Sequence, residues 1–198
     1  ITIYLILVIF IIAGILFFLT RVPAVQDALF QRLAQNLIST APNIFPEEDS
    51  LSALVCGSKS PLPHPTRAET CVMIKAGDET FIFDVGNKSI DNLRNWRVPL
   101  NQLNSIFISH LHSDHIAELP EIHMWNWIGT GRQSKLKVYG PEGINQVLNG
   151  FTEAFSLDWK YRNDHHGDKF APLKAAGFDG YEITDFSDPV YELSLIHI

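Results

Sequence analysis

His110, His112, Asp114 and His115 fall within six residues, directly after the apolar run Ser105-Ile106-Phe107-Ile108-Ser109. Three imidazoles and a carboxylate at that density match the donor set of a hydrolytic metal centre. Side chains alternate along a strand, so His110 and His112 point the same way if the strand persists to its end. Two imidazoles on one side suit a borderline-soft cation such as zinc. Asp114 and His115 come where the chain should turn into a helix, which swings them toward a second, adjacent position. A carboxylate and an imidazole there suit zinc, manganese or iron. Two divalent metal ions, zinc foremost, would share a hydroxide, lower its pKa and stabilise a leaving oxygen. Asp114 is then both a ligand and the candidate catalytic carboxylate, orienting the attacking water. The competing reading is a surface histidine cluster that holds no metal.

The elements around the cluster follow from periodicity and turn residues. Leu51–Cys56, Thr70–Lys75 and Glu79–Asp84 read as short strands, with Gly77-Asp78 as the hairpin turn between the last two. Lys88–Trp96 reads as a short helix and Ser105–Ser109 as a buried strand leading to the cluster. His115–Trp127 reads as a helix that Pro120 kinks or restarts. Lys135–Tyr139 reads as a strand and Pro141–Phe155 as a helix. A β-rich start followed by βαβα alternation predicts a layered α/β domain.

The histidine cluster resembles the defining motif of the metallo-β-lactamase superfamily. Cys56-Gly57-Ser58-Lys59-Ser60-Pro61, Phe81-Ile82-Phe83-Asp84-Val85-Gly86, Val138-Tyr139-Gly140-Pro141-Glu142-Gly143 and Tyr161–Gly167 are similar to segments of its ribonuclease Z and arylsulfatase-like branch. The resemblance covers about residues 51–192. It implies an αββα sandwich of which the N-terminal half is present. It also implies further ligands downstream of Glu192, and a role for Asp84 in supporting the site through hydrogen bonds to a ligand. Read from the residues alone, Asp84 is equally a turn carboxylate. The chain departs from the pattern at Ser113 and Glu118, where many relatives carry Gly, and at Cys56-Gly57-Ser58, which replaces a more usual Gly-Thr-Gly.

Residues 1–19 carry no charge and would span about 28 Å as a helix, close to one hydrocarbon core. They read as a transmembrane anchor, with a cleaved signal peptide as the alternative. Residues 20–50 read as a juxtamembrane helix and linker. Val25, Leu29, Leu33 and Leu37 form its apolar stripe, and residues 41–49 are rich in Pro and acid. Residues 51–192 make up the incomplete metallo-β-lactamase-like domain. Residues 193–198 match the in-frame translation of a common transposase adapter and read as a sequencing artefact, which makes His197 a bystander. Resemblance to membrane-anchored relatives places the catalytic part in the periplasm or outside the cell.

The net charge of −7, without a run of basic residues, argues against a nucleic-acid partner and for a small-molecule or nucleotide ester. Cys56 and Cys71 would pair in an oxidising compartment, but two buried small apolar residues is the simpler reading. Ser58 and Ser60 read as turn residues beside a pocket mouth, and His64 as an exposed loop residue. His123, Trp125 and Trp127 read as packing beside a possible pocket wall, and His165 and His166 as bystanders or substrate contacts. The expected activity is a metal-bound hydroxide attacking a phosphodiester or sulfate ester, ribonuclease Z-like or arylsulfatase-like. The alternatives are a lactonase or β-lactamase, and a non-catalytic membrane-anchored binding module.

Overall fold

The computed structural model describes residues 2–39, 44–46, 50–185 and 187–192. The chain divides into two compact units, Ile1–Thr40 and Ala41–Ile198. The first consists of α1 (Thr2–Leu19) and α2 (Pro23–Ser39). Side chains from Tyr4 to Leu19 are exposed around the whole helix. The Thr20 hydroxyl donates to the Phe17 carbonyl (2.8 Å) and Gln26 Nε2 to the Thr20 carbonyl (2.9 Å) across the junction. Among the described residues no single helix is long and apolar enough to cross a membrane. The pair Tyr4–Leu19 and Pro23–Phe30 passes that test only together, bent by 84°. The single straight span expected over residues 1–19 is therefore not shown. Part of the expected 41–49 linker and all of residues 193–198 lie outside the described residues.

The second unit is built on one six-stranded sheet in the order β1 to β6: Leu51–Gly57, Cys71–Ala76, Glu79–Phe83, Leu103–Phe107, Leu136–Pro141 and Phe178–Ile183. The first three strands pair antiparallel and the rest parallel. Gly77, at φ 57°, makes the tight β2–β3 turn. Each parallel connection carries helix: α3 (Ser89–Asn95), then α4 (Ser113–Ile116) with α5 (Leu119–Thr130), then α6 (Ile144–His166).

Alternation along the strands separates two faces. Ile82, Ile106 and Val138 are partners in register and fully buried. They pack with Ile90 and Leu93 of α3, Ile122 and Trp127 of α5, and Ile144 and Leu148 of α6. The opposite face carries Phe83, Phe107, Tyr139 and Tyr181, also in register, stacked at centroid spacings of 5.0, 4.9 and 4.8 Å. Tyr191 sets its ring edge-on to Phe107 and Tyr139 and donates its hydroxyl to Glu79. A helix layer on one sheet face is a mixed α/β fold, as expected.

Several elements differ from the sequence reading for identifiable reasons. The fourth strand stops at Phe107, so His110 and His112 are not strand residues; His112 instead precedes the first turn of α4. The expected helix over 115–127 is two helices, and Pro120 sits in the first turn of the second, where its missing N–H costs nothing. α6 runs to His166 because nothing breaks it before Gly167, and Asp158–Arg162 (2.8 Å) and Lys160–Asp164 pair one turn apart. β6 was not anticipated.

Cys56 and Cys71 form a disulfide, with Cα atoms 5.0 Å apart, which overturns the reading of two unbonded apolar residues. The β1–β2 register shifts between Val55 and Gly57, and this bulge re-aims Cys56 at its partner. The bond closes the base of the exposed loop between the strands. His123 is also a core residue: it is 1% exposed and lies among Trp127, Trp159 and Phe178, and its Nε2 accepts the Gly177 N–H (2.9 Å). Burial pushes its pKa down to about 4.

Two stability measurements check this packing. A Cys56→Ala/Cys71→Ala variant is expected to lose about 3 kcal/mol, the entropy of a loop of this size, and to melt several degrees lower by circular dichroism. An unchanged melt would remove the bond. Because His123 is neutral when folded, the unfolded chain takes up the extra proton below its ordinary pKa. Stability should therefore fall as pH drops from about 6.5 toward 4, by up to roughly 3 kcal/mol. Denaturant titrations of His123→Gln, which keeps an acceptor for Gly177, should show a shallower fall over that range.

Candidate metal centre

The cluster occupies the loop between β4 and α5, and its shape is set by a neighbouring loop. β3 ends at Phe83, and Asp84 follows at φ 60°, a left-handed backbone that few non-glycine residues adopt. Its N–H still donates to the Phe107 carbonyl (2.9 Å) on the parallel neighbour. The turn aims the Asp84 carboxylate across the end of β4. There Oδ1 accepts the Ser109 N–H (2.8 Å), and Oδ2 accepts the Ser109 hydroxyl (2.8 Å) and His115 Nδ1 (2.8 Å). Asp84 is 5% exposed, and these three donors offset the cost of burying its charge. Its position beside His115 is that of a carboxylate supporting an imidazole ligand.

This network orients the rings. A carboxylate accepts only, so His115 turns an Nδ1–H toward Asp84 and its Nε2 edge toward Asp114. The Ser109 hydroxyl gives its hydrogen to Asp84, so its oxygen is free to accept from His110 Nδ1, 3.1 Å away. His110 Nε2 is turned to the other side, 3.1 Å from His112 Nδ1. The His110 ring stands 4.7 Å from that of His112 and 3.9 Å from that of His115. Asp114 is buried, with Oδ2 3.5 Å from His115 Nε2.

The donors thus fall in two pairs, His110 with His112 and Asp114 with His115. Two imidazole nitrogens bound to one tetrahedral zinc at about 2.0–2.1 Å lie about 3.3 Å apart, so the 3.1 Å spacing fits a shared cation. His110 and His112 would hold one ion, and Asp114 and His115 a second. The carboxylate–imidazole support at Asp84 is the arrangement that orients metal-binding histidines and raises their basicity.

Close backbone contacts fix the loops against each other. A Cβ on Gly86 would lie 2.2 Å from the Asp114 carbonyl oxygen and 2.4 Å from Glu69 Cβ, so only glycine fits there. Val85 donates to the His115 carbonyl (2.8 Å), and its own carbonyl accepts from Glu118 N–H (2.9 Å). Glu69 pairs with Lys59 (2.9 Å) and accepts the Asn87 N–H (2.9 Å). Glu118 accepts the N–H groups of Lys88 and Ile90 at the start of α3, and its burial raises its carboxyl pKa.

Other residues singled out in the sequence do different work. His64 Nδ1 accepts N–H bonds from Thr66 and Arg67 within its own loop. Ser58 N–H bonds to the Ala68 carbonyl, as a turn residue does. Trp127 is core, donating to the Pro172 carbonyl (3.2 Å), while Trp125 lies under Arg94. His165 and His166 end α6. Ser109 and Glu118 were not anticipated as site residues. Ser109 had a signal in its place between a buried strand and the first histidine. The signal for Glu118 was its departure from the glycine of the motif.

A family model described as "Anti-Pycsar protein Apyc1" matches residues 54–162. A ribonuclease Z of Mycolicibacterium gilvum is 32% identical over 124 residues, which is 62% of this chain and 43% of that protein. A ribonuclease Z of Mycobacterium marinum is 34% identical over 118 residues, covering 59% and 42%. The crystal structure of a long-form RNase Z from yeast superimposes with a TM-score of 0.52 at 16% identity, over 68% of this chain and 18% of that one, and so shares the fold. The chain spans about two fifths of the length of the curated relatives it matches.

Asp84→Asn keeps the side chain's shape but turns one acceptor into a donor facing His115 Nδ1–H. Zinc affinity measured by isothermal titration calorimetry is expected to weaken about 10- to 100-fold. Wild-type affinity in the variant would show that Asp84 plays no part in holding the site.

Proposed function

Because this chain belongs to the Anti-Pycsar protein Apyc1 family, in the ribonuclease Z-like part of the metallo-β-lactamase superfamily, we propose that it carries metal-binding residues of a metal-dependent phosphodiesterase. One observation carries the reading: two donor pairs, His110–His112 and Asp114–His115, with Nδ1 of His110 and of His115 turned to Ser109 and Asp84 and their Nε2 atoms turned to the other donors. Divalent cations held there, zinc foremost and manganese or iron as alternatives, would acidify water and neutralise charge building on a phosphoryl group. Asp114 would bind one of them and orient the attacking water in line with the leaving oxygen. Attack forms a new P–O bond at phosphorus and breaks the bond to that oxygen. Asp84 and Ser109 hold the imidazoles throughout and touch no reacting atom.

The substrate we favour is a nucleotide or RNA phosphodiester. Relatives named ribonuclease Z support phosphodiesters over sulfate esters, lactones and β-lactams. We also place the protein at the cell envelope, tethered through residues 1–19. Two features support this: the uncharged, all-round apolar α1, and a disulfide of the kind that persists outside the reducing cytosol.

The test uses the full-length protein with a bis-aryl phosphate, a 3′-extended tRNA, an aryl sulfate and a lactone. Turnover of the phosphodiesters is expected, abolished by exhaustive chelation and lowered at least about 100-fold in kcat by His112→Ala without loss of the folded spectrum. Faster turnover of the sulfate or the lactone, or an undiminished His112→Ala variant, would overturn the proposal.

A further inference from the structure

We infer that Glu118 is a positioning residue that keeps Asp84 in register with His115, holding the loop at 84–90 against the metal-binding turn. The inference rests on the reading of His110–His115 as metal ligands. Its observation is a juxtaposition of one side chain with two backbone amides and a hydroxyl far away in sequence. The Glu118 carboxylate accepts the Lys88 N–H on Oε1. On Oε2 it accepts the Ile90 N–H (2.7 Å) and, at 3.4 Å, the Ser89 hydroxyl.

These are the orphan donors at the start of α3, normally satisfied by a local Ser, Thr, Asp or Asn. Here the cap position is Lys88, at φ 66°, and it makes no side-chain cap bond. A charged acceptor from the next crossover takes over that task, where a helix N-terminus favours a carboxylate.

The consequence reaches the site because the two segments are joined at three successive points. Asp84 binds the His115 ring. The Val85 peptide donates to the His115 carbonyl and accepts from Glu118 N–H. The amides of 88 and 90 end on the Glu118 carboxylate. His115 and Glu118 are three residues apart, across the junction of α4 and α5, so the 84–90 loop is gripped at both ends by one short segment. Release of the Glu118 end leaves Asp84, already at φ 60°, free to relax away from His115. The far end of α3 has a separate tether, Arg94 to Glu121, made by side chains other than those that hold Asp84 and Glu118. Loss of that tether removes stability without touching the register.

Zinc titration calorimetry and imidazole ¹H–¹⁵N spectra of the metal-free chain test the inference in wild type, Glu118→Ala, Glu118→Gln and Arg94→Ala. Wild type should show a protected Nδ1–H on His115. Glu118→Ala should lose that signal to exchange and bind zinc about tenfold more weakly. Glu118→Gln, which keeps one acceptor, should fall between, and should Glu118→Ala fail to fold it decides on the same two readouts. Arg94→Ala should melt lower yet keep both the signal and the affinity. The inference is overturned if the Glu118 variants keep both, if Arg94→Ala loses both to the same degree, or if wild type lacks the Nδ1–H. A wild type that shows the His115 signal but binds no zinc would instead overturn the metal-centre reading and leave the clamp standing.

Discussion

The structure around the histidines depends on one buried carboxylate. Asp84 lies at the end of a strand, in a backbone conformation it adopts at a cost, and accepts three hydrogen bonds from the loop that follows the neighbouring strand. A carboxylate removed from water has to be compensated by donors, and those it finds belong to His115 of the cluster and to Ser109 just before it. The same bonds that make its burial tolerable fix where the rings face. Stability and ligand geometry are therefore one problem here, solved by one side chain.

The sheet makes that arrangement possible. β3 and β4 are parallel neighbours, with Phe83 paired to Phe107, so both chains leave the sheet at the same edge. β5 lies in register on the other side, and the Ile108 N–H donates to the Tyr139 carbonyl (2.7 Å), which carries the chain one residue past the strand end before it turns. Active-site loops of parallel α/β sheets gather at the carboxyl ends of their strands because every crossover returns from that edge. The aromatic row Phe83–Phe107–Tyr139–Tyr181 lies just behind it. Stacking of these rings aligns the four strands whose ends carry the loops.

What could be read in advance divides along the same line. Elements with strong local signals were legible. The β-branched runs became strands, Gly77-Asp78 became the hairpin turn, and Pro120 restarted a helix. The pairing of His110 with His112 also came out, though by the wrong route. The strand ends before them, and they face each other because Ser109 turns one ring while Leu111 anchors the loop against Gly143. Relationships between distant residues were not legible. A bulge at Cys56 hides the disulfide from any alternation argument, and β6 is defined only by the edge of β5 that it joins. Glu118 stood out only as a departure, where many relatives carry Gly. Its partners, 28 and 30 residues upstream, are backbone amides, which no side-chain pattern can reveal.

The acidic composition weighs less against a phosphodiester than it first does. A net charge of −7 describes the whole surface, whereas a reacting phosphate meets the local field. Around the cluster the acids are committed: Asp84 to Ser109 and His115, Glu118 to the amides of α3, Glu69 to Lys59 and Asn87. Asp114 remains, and a carboxylate among imidazole nitrogens is a donor set for cations before anions. Divalent ions bound there would be the largest local charges and would invert the sign of the field that a substrate meets. On the proposed reading the chain's acidity would concentrate cations at the site, and the cations would in turn draw an anionic substrate. The sign of the whole-chain charge then bears on long-range approach of a polyanion and not on the chemistry at the centre.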